Sequence, residues 1–533
     1  MADTQRHLPR RIAAIDLGTN SFHALIVDIY PDGSFQLVDK LKVMVLLAEK
    51  GFASRLSDAA IERAIDALKK IKTLIDHQNT EHTIAYATSA IREAENGGEL
   101  IQRAIDEIGI KIIAIPGRVE AELIGMAIQH GVQLPDKPVL MVDIGGGSVE
   151  FIIGNQEKLF HLASKKIGIA RMTARFVDND PVSKQEIQNL RKHFEEELRD
   201  LAQSFATHRA SLMVGSSGTL QNIGMMIAKR KNSGQSLSVN ELEFSAKDFF
   251  ELYDDMIVMD RNERSKISEL DDKRIGLIVP GLVLIHYLLT SFSIKKVKIS
   301  SQALREGIIL RYIKQEMKHI REFANYRDPR LRSVMELVKR YEWHEEHSRH
   351  VAGLCLELFD VFKDKLKLEA IDKELLEYAA FMHDIGYFIS LKKHHKHALY
   401  IIRNSKLLGF KEREIELMAN IARYHRRSAP KTRHYFYNQL SKADREKVKK
   451  LSALLRVADG LDRSHFQNVR NIKVENGEKV TKIFIDTETD PQLEIWGAMR
   501  KRALLEELIS TKIEVIQDAR KFNHAASDSP ASP

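Results

Sequence analysis

The stretch Asp16-Leu-Gly-Thr-Asn-Ser-Phe-His23 can be laid over Asp143-Ile-Gly-Gly-Gly-Ser-Val-Glu150 without a gap. Asp16 meets Asp143, Gly18 meets Gly145, Ser21 meets Ser148 and His23 meets Glu150, all at one constant spacing. An apolar run precedes and follows each copy, so each reads as strand, tight turn, strand. A single Asp-x-Gly turn is ordinary hairpin chemistry. Matched copies one domain apart constrain far more: they call for a duplicated fold with two phosphate-facing hairpins.

Glycine lets successive backbone N–H groups point at one anion with no Cβ in the way. Gly145-Gly146-Gly147 reads as such a nest, with the Ser148 hydroxyl as a further donor. Gly215-Ser216-Ser217-Gly218-Thr219 follows the apolar Leu212-Met213-Val214 and precedes a helical stretch. Its N–H groups would therefore lie at a helix N-terminus, a ready anion site. No Gly-x4-Gly-Lys-Ser/Thr occurs, which excludes a P-loop enzyme.

Between the repeats, Leu56 to His77 has helical periodicity, Thr83 to Ala87 and Ile110 to Ile115 read as strands, and Val119 to Gly131 as a helix. From Gln315 the texture changes. Met317 to Arg330 is charged and reads as a linker or joining helix, and Leu331 to Arg463 is almost wholly helical in pattern. Ile472 to Asp486 alternates like a hairpin around Asn476-Gly477. Ala498 to Lys521 reads as a last helix, and Asn523 to Pro533 as a disordered tail.

The 533 residues suit three or four domains at ~150 residues each. One cysteine, Cys355, excludes an intramolecular disulfide and a Cys-rich zinc site. The net charge of +8 agrees with a polyanionic partner without identifying it. With only 2 Trp, stacked base recognition is not a central theme, and no specific nucleic acid is expected. Met1 to Arg11 is polar and basic, and Asp16 interrupts the apolar stretch after it, so no secretory signal is read. Ile275 to Ile294 is apolar but contains Pro280-Gly281 and His286. It reads as a buried strand ending near Val279 and a helix starting at Pro280, not as a membrane span. The expected location is cytoplasmic.

Taken together, the chain resembles the exopolyphosphatase/guanosine pentaphosphatase (Ppx/GppA) family. The matching stretches are Ala14 to His23, Ala85-Tyr-Ala-Thr-Ser-Ala-Ile-Arg-Glu-Ala94, Gly117-Arg-Val-Glu-Ala121, Val142 to Glu150, Gly215 to Thr219, Val279-Pro-Gly281 and Ala303-Leu-Arg-Glu-Gly307. The resemblance implies duplicated actin-like domains (RNase H-like, of the sugar kinase and Hsp70 type) over residues 1–132 and 133–312. It also implies hydrolysis of a terminal phosphoanhydride with Mg²⁺. Glu120 stands at the family's catalytic glutamate, Arg92 at its phosphate-neutralising arginine, and Asp143 and Glu150 at its metal-binding acidic pair. Gly18, Thr19, Asn20 and Ser21, Gly145, Gly146, Gly147 and Ser148, and Gly215, Ser216, Ser217, Gly218 and Thr219 would hold phosphates. The partner is inorganic polyphosphate or guanosine pentaphosphate (pppGpp), and a homodimer is implied. Two positions depart from the pattern. Met44 stands where the family often has an arginine, so that contact is missing or supplied by Lys42, and Val119 replaces the first of two glutamates.

The helical half carries a second pattern. His347-Ser-Arg-His, then Met382-His383-Asp384-Ile-Gly386, then Val457-Ala-Asp459 resembles the HD phosphohydrolase motif. By that resemblance His347, His383, Asp384 and Asp459 would bind a divalent metal (Mn²⁺, Fe²⁺ or Mg²⁺) in an all-α HD-like domain at 325–465, followed by a small α/β piece at 466–522. His397 and His425 would extend it to a second metal. Lys392 to His397 is a basic cluster, a solvated face or a polyphosphate track. Four functions follow as expectations: exopolyphosphatase, pppGpp phosphohydrolase at the same site, HD-type metal phosphohydrolase, or a catalytically weak polyphosphate or alarmone-binding regulator.

Overall fold

The structure, a computed structural model, describes residues 9–48, 55–231, 239–316, 328–341, 343–487 and 489–518. The expected C-terminal tail and most of the joining segment, 317–327, lie outside these residues. The chain forms two compact units, 1–329 and 330–533.

In the first unit, strands β1 (Arg10–Leu17), β2 (Ser21–Ile29), β3 (Phe35–Met44), β4 (His82–Ala87) and β5 (Ile112–Ala114) form one sheet in the order β3-β2-β1-β4-β5. Strands β6 (Val139–Ile144), β7 (Val149–Gly154), β8 (Leu159–Lys165), β9 (Leu212–Ser216), β10 (Glu243–Ser245) and β11 (Lys296–Ile299) form a second, in the order β10-β11-β9-β6-β7-β8. The duplication read from the sequence is a duplication of topology. β1 pairs antiparallel with β2 and parallel with β4, and β6 pairs antiparallel with β7 and parallel with β9. The registers coincide too: Asp16 faces His23 and Asp143 faces Glu150. This is the duplicated actin-like arrangement.

β1 is buried on both faces, which a strand can be only when each face meets its own apolar layer. Ala13, Ile15 and Leu17 pack on the helix Asp58–His77, whereas Ile12 and Ala14 join a core shared by the two halves. That shared core holds Leu123, Ile124 and Ile128 of the helix Gly117–Gly131 and Ile308 and Ile309 of the helix Leu304–Glu316. Each such side chain contributes about 1.5–3 kcal/mol by leaving water. The helix Leu304–Glu316 thus leaves the second sheet and returns to the first, bringing Arg305 to the cleft between them.

The apolar run at 275–294 forms a helix, Ile278–Ser291, buried in the core of the second half. The strand expected before Pro280 is not there. Pro280 lies in the first helical turn, where an N–H has no intrahelical partner and a proline costs nothing. Among the described residues no helix is long and apolar enough to cross a membrane.

The second unit opens with long helices, among them Glu345–Leu366, Ala370–Met382, His394–Asn404, Glu412–Arg423 and Lys442–Leu461. A three-stranded sheet follows, β12 (Val469–Asn476), β13 (Val480–Thr487) and β14 (Lys512–Gln517), in that order. The hairpin around Asn476-Gly477 is as expected. The single last helix is not: Gln492–Lys501 and Ala503–Ile509 are separate helices, and Ser510 turns the chain at φ 58°. β14 then pairs parallel with β13. Its Lys-Ile-Glu-Val-Ile-Gln alternation is a strand signal that the helical pattern before it obscured.

Candidate active site

Each repeat closes its turn in the same way. Gly18 N–H donates to the Ser21 carbonyl at 3.2 Å and Gly145 N–H to the Ser148 carbonyl at 3.0 Å. The two turns oppose one another: a Cβ on Gly146 would lie 2.9 Å from the Asn20 amide nitrogen. Behind the second turn, a Cβ on Gly168 would lie 2.5 Å from the Gly146 carbonyl. Only glycine allows this contact, which supports the nest from below.

Between the turns is a cleft of about 640 Å³. Gly18 to Ser21, Gly145 to Ser148, Ser217, Gly218, Thr219, Glu120, Asp143 and Glu150 all line it. Three expected members do not. Gly215 and Ser216 end β9 below the surface, and Ser216 Oγ–H is shared between Asp143 Oδ2 at 2.7 Å and the Gln302 carbonyl at 2.9 Å. Ser216 therefore orients a carboxylate and has no proton left for phosphate. Arg92 lies beside the cleft, with Nη1 donating to Glu120 Oε2 at 2.8 Å and to the Ile115 carbonyl at 2.9 Å. Ser217, by contrast, has φ 94° and a buried hydroxyl with no partner, beside the N-terminus of the helix Gly218–Lys231.

Four carboxylates crowd the cleft floor. Burial pushes Glu120 up to about 7, against the pull of Arg92, and Asp143 and Glu93 push the same way. Burial also pushes Asp16 up to about 7 and raises Asp143, and Glu150 rises through burial and its neighbours Glu120 and Asp143. Hard oxygen donors that raise each other's affinity for positive charge suit a small divalent cation. Asp143 and Glu150 fit such an ion, and Asp16 joins them on the same floor.

Sequence reading missed Asp16, His23, Lys273, Arg274 and Arg305 as cleft residues. Signals existed for three: Asp16 and His23 are the repeat counterparts of Asp143 and Glu150, and Arg305 sits inside Ala303-Leu-Arg-Glu-Gly307. Lys42 and Met44 both line the cleft, so a cation is present although Met44 is not one. Val119 packs half-buried against the shared core.

In the second unit the expected ligands converge. His347 Nε2 is 3.7 Å and His383 Nε2 3.4 Å from Asp384 Oδ2, and they lie 3.8 and 4.0 Å from Asp459 Oδ1. On the other side of the same carboxylate, His394 Nε2 and His425 Nε2 are 3.3 and 3.5 Å from Asp384 Oδ1. The second histidine pair is thus His394 and His425. His397 lies outside the cluster, because His394 opens its helix directly over Asp384, under the Tyr387 ring at 3.8 Å. His394 and His395 are buried, so the basic cluster shrinks to Lys392, Lys393 and Lys396 on the surface.

The rings are held from behind. Nδ1 of His347 meets Asp462 Oδ2 at 2.7 Å, and Nδ1 of His383 and His425 meet the Ala380 and Ala422 carbonyls at 2.7 Å. Such bonds place one proton on Nδ1 and turn Nε2 towards the carboxylates, where a metal ion can stand in place of the second proton that Asp384 favours on His383. His347 Nε2, His383 Nε2 and Asp384 Oδ1 are buried with no hydrogen-bond partner. Unpartnered buried acceptors facing each other fit a cation between them. Lys501 forms an ion pair with Asp459. The helices bearing them touch at glycines, a Cβ on Gly497 falling 2.4 Å from the Gly460 carbonyl.

The Ppx/GppA phosphatase family matches residues 25–316, and the Ppx/GppA phosphatase domain III matches residues 330–498. An exopolyphosphatase from Cytophaga hutchinsonii is 32% identical, with a TM-score of 0.55, covering 59% of this chain and 99% of its own. The Aquifex aeolicus member of the Ppx/GppA protein family is 27% identical, with a TM-score of 0.51, covering 58% of this chain and 98% of its own.

Proposed function

The chain belongs to the Ppx/GppA phosphatase family and is a phosphohydrolase, and from that premise we propose that it is an exopolyphosphatase, releasing terminal orthophosphate from inorganic polyphosphate with Mg²⁺. The observation that carries this reading is the composition of the cleft. A buried glutamate raised to about 7 stands beside phosphate-facing turns, and Lys42, Lys273, Arg274 and Arg305 line the same space. Among the described lining residues there is no Phe, Tyr or Trp ring on which a guanine would stack. That favours a bare phosphate chain over pppGpp.

Glu120 takes a proton from water as the water oxygen attacks the terminal phosphorus. The bond from phosphorus to the bridging oxygen breaks, and the shortened chain departs with the charge. Arg92 holds Glu120 in place. Backbone N–H groups of Gly146 and Gly147 and of the Ser217 to Thr219 turn face the equatorial oxygens, where charge spreads in the transition state. Asp143 and Glu150 would hold Mg²⁺, which neutralises phosphate charge when bound. The cleft cations hold the departing chain. Orthophosphate release should be faster from long polyphosphate than from pppGpp and vanish in Glu120→Gln. Faster turnover of pppGpp would reassign the substrate, and polyphosphate binding without release would favour the regulator. Light scattering tests the homodimer that the resemblance implies.

A second reading is favoured by the buried unpartnered atoms of the second unit: an HD-type metal centre, with Asp384 between His347, His383 and Asp459 on one side and His394 and His425 on the other. Metal analysis after incubation with Mn²⁺, Fe²⁺ or Mg²⁺ should find bound ion that His383→Ala loses. No bound ion under any of the three would reject the reading.

A further inference from the structure

The two copies of the repeat share a backbone but differ in which way hydrogen bonds run through them. In the first copy, His23 Nδ1 lies 2.9 Å from Arg305 Nη1. A guanidinium has donors only, so Nδ1 must accept. The ring is then neutral with its proton on Nε2. Nε2 is 2.8 Å from Ser21 Oγ and donates to it. Ser21 has received a hydrogen bond and keeps its own proton for another acceptor, at a position that lines the cleft.

In the second copy the position of His23 is taken by Glu150, and the direction reverses. Ser148 Oγ–H donates to Glu150 Oε1 at 2.7 Å, and Ser164 Oγ–H donates to the same oxygen at 2.7 Å. The Ser148 proton is spent on a carboxylate. Because Asp16–His23 and Asp143–Glu150 occupy the same register, the contrast comes from side chains alone. The neighbours of His23 agree with a neutral ring. Lys42 faces it from β3, and with Lys273, Arg274 and Arg305 it opposes a second proton, while Asp16 faces it from β1.

We propose that the duplicated hairpins have diverged into an anion side and a cation side: Arg305 and His23 are positioning residues that aim the Ser21 proton at a substrate phosphoryl oxygen, whereas Ser148 orients Glu150 instead of binding phosphate through its hydroxyl. The inference deepens the phosphoanhydride reading of the cleft and rests on it. It also ties the halves together, since Arg305 comes from the helix Leu304–Glu316 and His23 from β2.

The test is kcat and KM for polyphosphate, measured separately on the full chain. Ser21→Ala and His23→Ala should each lower kcat/KM about tenfold, and the double variant should lose no more than either alone, as for groups acting as one unit. His23→Gln, whose amide can still donate to Ser21, should recover most of the loss, which a merely structural role would not allow. Ser148→Ala should leave KM for polyphosphate within about twofold and raise the Mg²⁺ concentration needed. Additive losses for Ser21 and His23, or a KM rise in Ser148→Ala equal to that in Ser21→Ala, would overturn the inference. A wild-type chain that releases no orthophosphate would overturn the exopolyphosphatase reading instead. Calorimetric binding of polyphosphate then carries the same comparison: loss with Ser21→Ala and His23→Ala alone supports the inference, and equal loss with Ser148→Ala overturns it.

Discussion

Arg92 Nη1 lies 2.8 Å from Glu120 Oε2, and both side chains are largely withdrawn from solvent. The pair joins the short helix Ser89–Glu93 to the first turn of the helix Gly117–Gly131. Burial alone would keep Glu120 protonated, and the guanidinium offsets part of that cost.

The pH dependence follows from this pair. A general base must be ionised to act, so kcat/KM should rise as pH passes through about 7, where Glu120 loses its proton. Below that, activity should fall about tenfold per pH unit. Arg92→Met removes the largest influence that lowers the Glu120 pKa and should move the rising limb to higher pH. A pH–rate profile checks both, and a flat profile from pH 5 to 9 would reject Glu120 as the base.

Ser216 should control metal demand rather than substrate affinity. Its hydroxyl holds Asp143 Oδ2 and favours the ionised carboxylate against burial. Ser216→Ala should raise the Asp143 pKa, so more protons compete with Mg²⁺ near neutral pH. The Mg²⁺ concentration for half-maximal rate should rise several-fold, on the order of 3–10 times, with KM for polyphosphate nearly constant.

Gly168 tests the support beneath the nest. Gly168→Ala would drive a methyl group to 2.5 Å from the Gly146 carbonyl, and backbone must move. Unfolding stability should drop by about 1–3 kcal/mol, with a larger loss of activity than of fold. Denaturant titration beside a rate measurement separates the two.

Lys501 bears on the second unit. It pairs with Asp459 Oδ2 while the histidines face Oδ1, so it places positive charge beside the oxygen that the metal reading uses. Lys501→Met should destabilise the metal-free protein by on the order of 3 kcal/mol, seen as a lower melting temperature, because it leaves a buried carboxylate without its partner. It should also increase the stabilisation that Mn²⁺ produces, as tighter binding to the folded state does. Equal Mn²⁺ shifts in both proteins would show that Lys501 does not compete.

Much of the first unit was legible in the sequence because its signals are local. Alternating apolar residues around Gly18 and Gly145 specify hairpins, and Ser57 before Asp58 marks a helix start that the structure caps with the Ser57 hydroxyl. The second unit was less legible at its end. Helical spacing over 498–509 masked the strand Lys512–Gln517, whose place is set by β13, a partner distant in sequence. His394, and not the expected His397, completes the cluster, because spacing along one helix does not say which turn faces Asp384.

The sequence by itself determined the repeat, the turns and the inventory of groups able to hold phosphate or metal, since these rest on backbone conformations set by residues a few positions apart. Only the tertiary structure decided what each group does there. Arg305 reaches His23 across 282 positions, Ser216 reaches Asp143 across 73, and Lys501 reaches Asp459 across 42. A hydroxyl's proton goes to whichever acceptor packing places within reach, so identical serines at matched positions, Ser21 and Ser148, end with opposite duties.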